Sequence, residues 1–463
     1  MTQARLPMIE HAAASAAKME RLFAHPRLAD LLLTRLVAPR LTDGDPAWSR
    51  TLRTSLLKVG GETLPREAIP ALQQAMVATR WMHESAANAH RRGEPVVWFT
   101  WPVPAAVIAA FDVAYFCPEN FYSVANSTGG DGSTRMCEIA DRHGVPQEIC
   151  SINRCVLGAH LAGELPRPTL CVTANTPCDG NHAGNVILRE LAGCEQFSVG
   201  GAYDRSPETI AVWARSVWEL IGFLEKKLGR PMDWKRLEAY ARNLNQVNRA
   251  LNRVTELHRA LPAPRLVNPL AVFWRVVGGA GWEPPVARGA DLLLEAAEQI
   301  VEKSRRRGAP RERMRVVYGD QAIAWTDCSA WMAREYGAAV VADYIGSFRH
   351  PHIDTSTRES LIEGLVLDRL NFSMIRQSHG TMEYTLDELE TTIREFQADC
   401  VIFQSNTGCK HNLALRREVE ETCRAAGVPA CFLDVDIVDR RVMGEAAIKQ
   451  KLRSFFAANG LPR

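Results

Sequence analysis

Three cysteines stand where a thiolate could grip a metal. The apolar run Leu170-Cys-Val-Thr-Ala174 reads as a buried strand ending in the turn Asn175-Thr-Pro-Cys-Asp-Gly180, which sets Cys178 at a strand terminus. Cys409 has the same setting, because Cys400-Val-Ile-Phe-Gln404 runs into Ser405-Asn-Thr-Gly-Cys-Lys-His-Asn412 ahead of a helix. Cys150 lies in Gln147-Glu-Ile-Cys-Ser-Ile-Asn-Arg-Cys155, where a helical run through Leu157 begins and helix-start amides would support an anionic sulfur. Successive separations of 28 and 231 residues are unlike the short CxxC spacings of zinc and ferredoxin sites. Three thiolates from distant parts of a chain could instead hold an iron-sulfur cluster and leave one iron for another ligand.

The remaining cysteines have a plainer reading. Cys117, Cys137, Cys171, Cys194, Cys328, Cys400, Cys423 and Cys431 fall largely inside apolar strands or on helix faces and are expected to be small buried hydrophobes. Cys155, five residues beyond Cys150, could substitute as a ligand. A dispersed set of twelve cysteines does not read as a disulfide framework. His182 and His411, close in sequence to Cys178 and Cys409, are candidate donors of a proton or a hydrogen bond, and Glu119 is a candidate acid or base. Against each stands the ordinary reading of a solvated loop residue.

These side chains need elements to position them. Helical periodicity over Ile9–Ala38 and Pro65–Arg92 predicts a helical N-terminal section, residues 1–93. Strands alternating with helices predict an α/β domain with a parallel sheet over residues 94–205, holding Cys150 and Cys178. Residues 206–310 read as a helical connector and residues 311–463 as a second α/β domain with Cys409. Gly278-Gly-Ala-Gly281 and Gly129-Gly-Asp-Gly132 lack the strand-before, helix-after frame of a phosphate loop, so both read as simple loops and no ATP site is expected. Asp434, Asp436 and Asp439 read as a structural strand-end feature. Trp213, Trp218 and Trp234 suit a packed helix face, and Arg305 to Arg307 a solvated linker.

Composition bounds the function. Of 463 residues, 46% are hydrophobic and 23% charged, which excludes disordered and coiled-coil classes. Lys+Arg is 55 against Asp+Glu 53, a balance that supplies no global field for nucleic acid or an anionic membrane. Only nine of those cations are lysines, so local anion contacts would fall to arginine forks. No stretch reaches the roughly 18 apolar residues of a membrane span, and the start lacks a signal-peptide pattern. A cytoplasmic protein is expected.

The combination Cys150-Ser151-x-x-Arg154-x-x-Leu157-Gly158, Thr176-Pro-Cys-Asp-Gly180, Gly408-Cys409-Lys410 and Leu433-Asp-Val-Asp436 resembles the 2-hydroxyacyl-CoA dehydratase and benzoyl-CoA reductase family, from about Pro95 to Phe456. The resemblance implies an α/β fold of two flavodoxin-like parallel-sheet domains plus the helical N-terminal section and helical connector. It implies one 4Fe-4S cluster on Cys150, Cys178 and Cys409, or a double-cubane cluster as in some homodimeric members. Its implied partners are a homologous second subunit and a separate ATP-dependent iron-sulfur activator, and its implied substrate is a CoA thioester reduced by one electron. Ala106 stands where dehydratase catalytic subunits have a Glu ahead of an Ala-x-Gly, and Asp112 takes the glycine place. Cys117-Pro118-Glu119-Asn120 is similar to the Pro-Glu-Asn segment of benzoyl-CoA reductase-like and electron-relaying subunits, which favours that branch.

Overall fold

The computed structural model describes residues 6–30, 64–122, 132–320, 323, 325–344 and 346–462. The loop reading of Gly129 to Asp131 and the end of the first predicted helix, residues 31–38, lie outside the described residues.

Two four-stranded parallel sheets organise the chain. The first comprises β1 (Val96–Phe99), β2 (Ala114–Phe116), β3 (Leu170–Ala174) and β4 (Glu195–Val199), in the order β2-β1-β3-β4. The second comprises β5 (Met314–Tyr318), β6 (Ala338–Asp343), β7 (Cys400–Asn406) and β8 (Ala430–Val435), in the order β6-β5-β7-β8. Both windings follow the flavodoxin-like order, in which the topology reverses between the first and third strands. Helices cover both faces of the central strands, so β1, β3, β5 and β7 are buried at every position and largely apolar, with Arg315 in β5 and Gln404, Ser405 and Asn406 in β7 among the buried polar exceptions. Strand β4 is not anticipated by the sequence pattern, since its Glu195, Gln196 and Ser198 give an edge strand no hydrophobic run to read.

Helices fill in around these sheets. Before β1 come α1 (Pro7–Phe23), α2 (Pro26–Asp30) and α3 (Ile69–Arg92); within the first α/β unit come α4 (Ala106–Ala109), α5 (Gly132–Arg142), α6 (Ser151–Leu161) and α7 (Asp179–Ala192). The connector contains α8 (Pro207–Leu228), α9 (Trp234–Leu257), α10 (Val267–Ala280) and α11 (Pro284–Arg306). The second half adds α12 (Cys328–Tyr336), α13 (Arg358–Leu370), α14 (Ile375–Ser378), α15 (Glu383–Glu395), α16 (Lys410–Ala414), α17 (Arg416–Ala425) and α18 (Glu445–Ala458).

One large core joins α1, α3, the first sheet and the connector helices, and two smaller cores cover the second sheet. Phe348, Ile362 and Phe372, from the stretch between β6 and β7, pack into the large core. Connector asparagines hold that stretch: Asn245 Nδ2 donates to the Ile353 carbonyl at 2.8 Å and Asn248 Nδ2 to Asp368 Oδ1 at 2.8 Å.

One local expectation is corrected. Gly278 and Gly279 are not loop residues; they lie within α10, where close packing demands their size. A Cβ on Gly278 would come within 2.9 Å of the Trp101 ring, and one on Gly279 within 2.8 Å of Met82 Sδ. Pro284 and Pro285 open α11, because proline at the first helical positions loses no hydrogen bond. Trp213 is buried as the helix-face reading required, and Trp218 packs on Trp234 at 5.2 Å between ring centroids. Arg305 and Arg306 sit exposed at the end of α11, paired with Glu302.

Candidate functional site

Ligands in doubly wound sheets gather beyond the carboxyl ends of the strands at the reversal point. In this chain the third strand of each sheet ends there in a cysteine turn: β3 leads to Cys178 and β7 to Cys409. Both cysteines, together with Cys150, line one cavity of about 460 Å³. Its wall draws on both halves, with Ile152, Pro177 and Tyr203 from the first and Gly319, Asp320, Phe403 and Asn406 from the second.

Each of the three cysteines is the residue immediately before a helix: Cys150 before α6, Cys178 before α7 and Cys409 before the single turn α16. Burial pushes the Cys150 thiol well above its ordinary range, and the neighbouring Cys409 and Cys178 sulfurs push it further. Burial likewise raises Cys178, and lifts Cys409 to about 12 with help from Asp320. The helix-start amides of Gly180 and Asn181 at Cys178, and of His411 and Asn412 at Cys409, pull the other way by favouring anionic sulfur. The sulfurs are therefore desolvated, mutually repelling as anions and backed by amide dipoles, a setting in which a bound cation would be strongly favoured. Among the described residues no three His, Cys, Asp or Glu side chains close on a single ion.

Backbone contact brings the two halves together here. A Cβ on Gly408 would lie 3.1 Å from Cys150 Cα, and one on Gly180 would lie 3.9 Å from Cys150 Cβ. An ion-pair network locks the same seam. Arg154, one turn after Cys150, reaches Asp141 at 2.9 Å and Asp439 of the second half at 3.2 Å, with almost no solvent exposure. Arg441 pairs with Asp439 as well, and Asp436 accepts the amides of Val438 and Asp439 at 2.8 Å each. These contacts give the Asp436 and Asp439 cluster a structural role, while Asp434 pairs with Arg416 at the surface.

The proton-transfer candidates part company. His411 lines the cavity with Nε2 3.4 Å from Thr385 Oγ1, and burial lowers its pKa. His182 is exposed in the first turn of α7 and is not part of the wall. Glu119 is buried away from the cavity, where it accepts the Trp101 amide at 2.6 Å and the Asn181 side-chain amide. Asn120 takes the Trp101 indole N–H at 2.9 Å. The Pro-Glu-Asn segment thus clamps Trp101 and ties it to α7, the helix behind Cys178. Cys155 is fully buried in α6 and does not reach the cavity wall. Asp112, in the glycine place of the pattern, has φ 54°, a left-handed conformation that glycine adopts freely and Asp tolerates better than most.

Sequence reasoning missed Asp320, which lines the cavity and accepts the side-chain amides of Asn406 and Asn412. Its place just past β5, at the reversal point, was the available signal. Met374 was also missed; it lines the wall at φ 79°, and no sequence feature marks that.

Fold and site define a two-sheet α/β protein whose strand-end cysteines meet in a cleft between its halves. The family model for 2-hydroxyglutaryl-CoA dehydratase, D-component, matches residues 100–457, and the chain belongs to this family. A benzoyl-CoA reductase subunit from Thauera aromatica is 25% identical over 390 residues, covering 76% of this chain and 85% of that protein. The (R)-2-hydroxyisocaproyl-CoA dehydratase alpha subunit of Clostridioides difficile is 22% identical over 394 residues, covering 80% and 91%. The alpha subunit of lactoyl-CoA dehydratase from Anaerotignum propionicum is 26% identical over 210 residues, covering 39% and 48%. Among the described residues no helix is long and apolar enough to cross a membrane.

Proposed function

We propose that this chain is the iron-sulfur subunit of an enzyme passing single electrons to a CoA thioester, with Cys150, Cys178 and Cys409 holding one 4Fe-4S cluster. The observation that carries the reading is the meeting of three half-buried cysteines, from two separately built sheets, on one cavity. The donor set fits, because thiolates are the ligands such clusters take and all three cysteines line one cavity. When bound, the cluster supplies one-electron chemistry at low potential. The chain's own residues line the site with apolar side chains such as Ile152, Pro177 and Phe403, and orient helix-start amides toward negatively charged sulfur. His411 is the side chain on that wall suited to hold a proton, and Lys410 beside it adds a positive charge.

The relatives' names support a CoA thioester as substrate and a second subunit as partner, and we propose that this partner is homologous. A separate ATP-dependent iron-sulfur activator and a cytoplasmic location complete the proposal. A second reading, an electron-relay subunit or one housing a double-cubane cluster, draws support from Ala106 in the place of the dehydratase Glu and from Glu119 lying off the cavity. Anaerobic purification tests both. Brown protein with bound iron and sulfide, made colourless by the triple Cys150/Cys178/Cys409→Ala change, is the expected result; iron retained by that variant overturns the ligand assignment. Iron per chain, with and without the co-purified second subunit, separates a single cluster from a double one.

A further inference from the structure

The first sheet carries a second sulfur site, remote from the cavity. Cys171 lies in β3 and Cys194 directly precedes the edge strand β4, with Leu170 opposite Glu195 and Cys171 opposite Gln196. Strand alternation places Cys194, two residues before Gln196, on the same face as Cys171. Their Sγ atoms are 3.0 Å apart, close enough to share a proton. Closing to a disulfide of about 2.05 Å requires a shift of only about 1 Å.

The pair is asymmetric in a useful way. Cys171 is 4% exposed, whereas Cys194 is only half-buried at the sheet edge. The hydrogen bond shared with Cys171, with smaller help from a backbone amide and Arg189, outweighs burial and holds the Cys194 thiol below its usual pKa range. An accessible thiolate backed by a buried thiol is the arrangement of an attacking and a resolving cysteine.

We propose that Cys171 and Cys194 form a reversible dithiol–disulfide couple, a modification site for low-molecular-weight disulfides of the glutathione type. The Cys194 thiolate attacks one sulfur of the small disulfide, forming a mixed disulfide and expelling one small thiolate. Cys171 then loses its proton to that thiolate and attacks the Cys194 sulfur, expelling the second small thiolate, which takes up the proton that Cys194 had released. Two protein thiols are thus oxidised by two electrons as one small disulfide is reduced to two thiols. The new bond closes the β3–α7–β4 unit at the end opposite Cys178. Cys171 lies near the start of β3 and Cys178 in the turn beyond its end, so three further strand residues, about 10 Å at roughly 3.3 Å per residue, and then the turn lie between them; the couple works without exchange with the cavity thiols and independently of the cluster reading.

The test uses the full-length protein, purified anaerobically, treated with glutathione disulfide, alkylated and digested. The expected result is the peptide holding Cys194 joined to the one holding Cys171, separable by dithiothreitol, with iron content unchanged. Cys171→Ser should trap a mixed disulfide of glutathione on Cys194, and Cys194→Ser should leave Cys171 unmodified. Recovery of both cysteines as free thiols in the wild-type protein, or glutathione attached to Cys171 first, overturns the proposal.

Discussion

Gly408 and Cys150, 258 residues apart in the chain, are in backbone contact: a Cβ on Gly408 would stand 3.1 Å from Cys150 Cα and 3.0 Å from the Ile149 carbonyl oxygen. The missing side chain lets the loop after β7 lie directly on the start of α6, and so brings the third thiol to the other two.

Substituting Gly408 should wedge that seam. Gly408→Ala forces a shift of a few tenths of an ångström, and Gly408→Val a larger one, with overpacking costing about 1–3 kcal/mol. Urea unfolding should show this loss, and anaerobic iron content should fall in the same order. Iron content unchanged in Gly408→Val would separate the contact from thiol placement.

Removing Arg154 should be costly for a different reason. Arg154→Gln strands Asp141 and Asp439, of which Asp439 is nearly fully buried, and breaking one member of a buried ion-pair network costs on the order of 3 kcal/mol. Arg441, which contacts both carboxylates, should offset part of it, so the double change Arg154→Gln/Arg441→Gln exceeds Arg154→Gln alone. Arg154→Lys restores the charge without the fork and should recover only part of the loss. Denaturant midpoints of the three variants check the ranking.

Glu119 gives a pH dependence of definite sign. Burial raises its pKa from 4.5 to about 7. Between those values the folded state binds more protons than the unfolded one, so the contribution of Glu119 weakens as pH rises through that window. The fall amounts to about 1.4 kcal/mol per pH unit, or about 3 kcal/mol in all. Glu119→Gln should flatten the stability profile between pH 4.5 and 7; an unchanged slope would show that the carboxyl is not held protonated.

Iron removal should loosen the whole seam. Whatever binds the folded state alone stabilises it, so chelating iron from anaerobic protein should lower the thermal midpoint. In the triple Cys150/Cys178/Cys409→Ala variant, chelator should leave the midpoint where it was.

Much of this protein was decided locally. Hydrophobic runs such as Leu170–Ala174 and Met314–Tyr318 carry strand character in their own residues, because a strand buried on both faces is largely apolar; Arg315 in the second run is held by the Phe396 and His258 carbonyls and by Glu312. The turns holding Cys178 and Cys409 were legible for the same reason, as Pro- and Gly-bearing segments after such runs. Polar edge strand β4 and the glycines of α10 were not legible, since their character depends on neighbours: β4 has a single partner strand, and Gly278 and Gly279 are small only because Trp101 and Met82 press on them. The same distinction runs through the site. Residue type and strand-end position singled out Cys150, Cys178 and Cys409, but only the folded chain could bring them together, expel Glu119 and His182 from the wall and admit Asp320 and Met374 to it. Chain proximity says nothing about direction in space; which side chain faces a cavity is settled by how helices pack on sheets and by how one half of the molecule lies against the other.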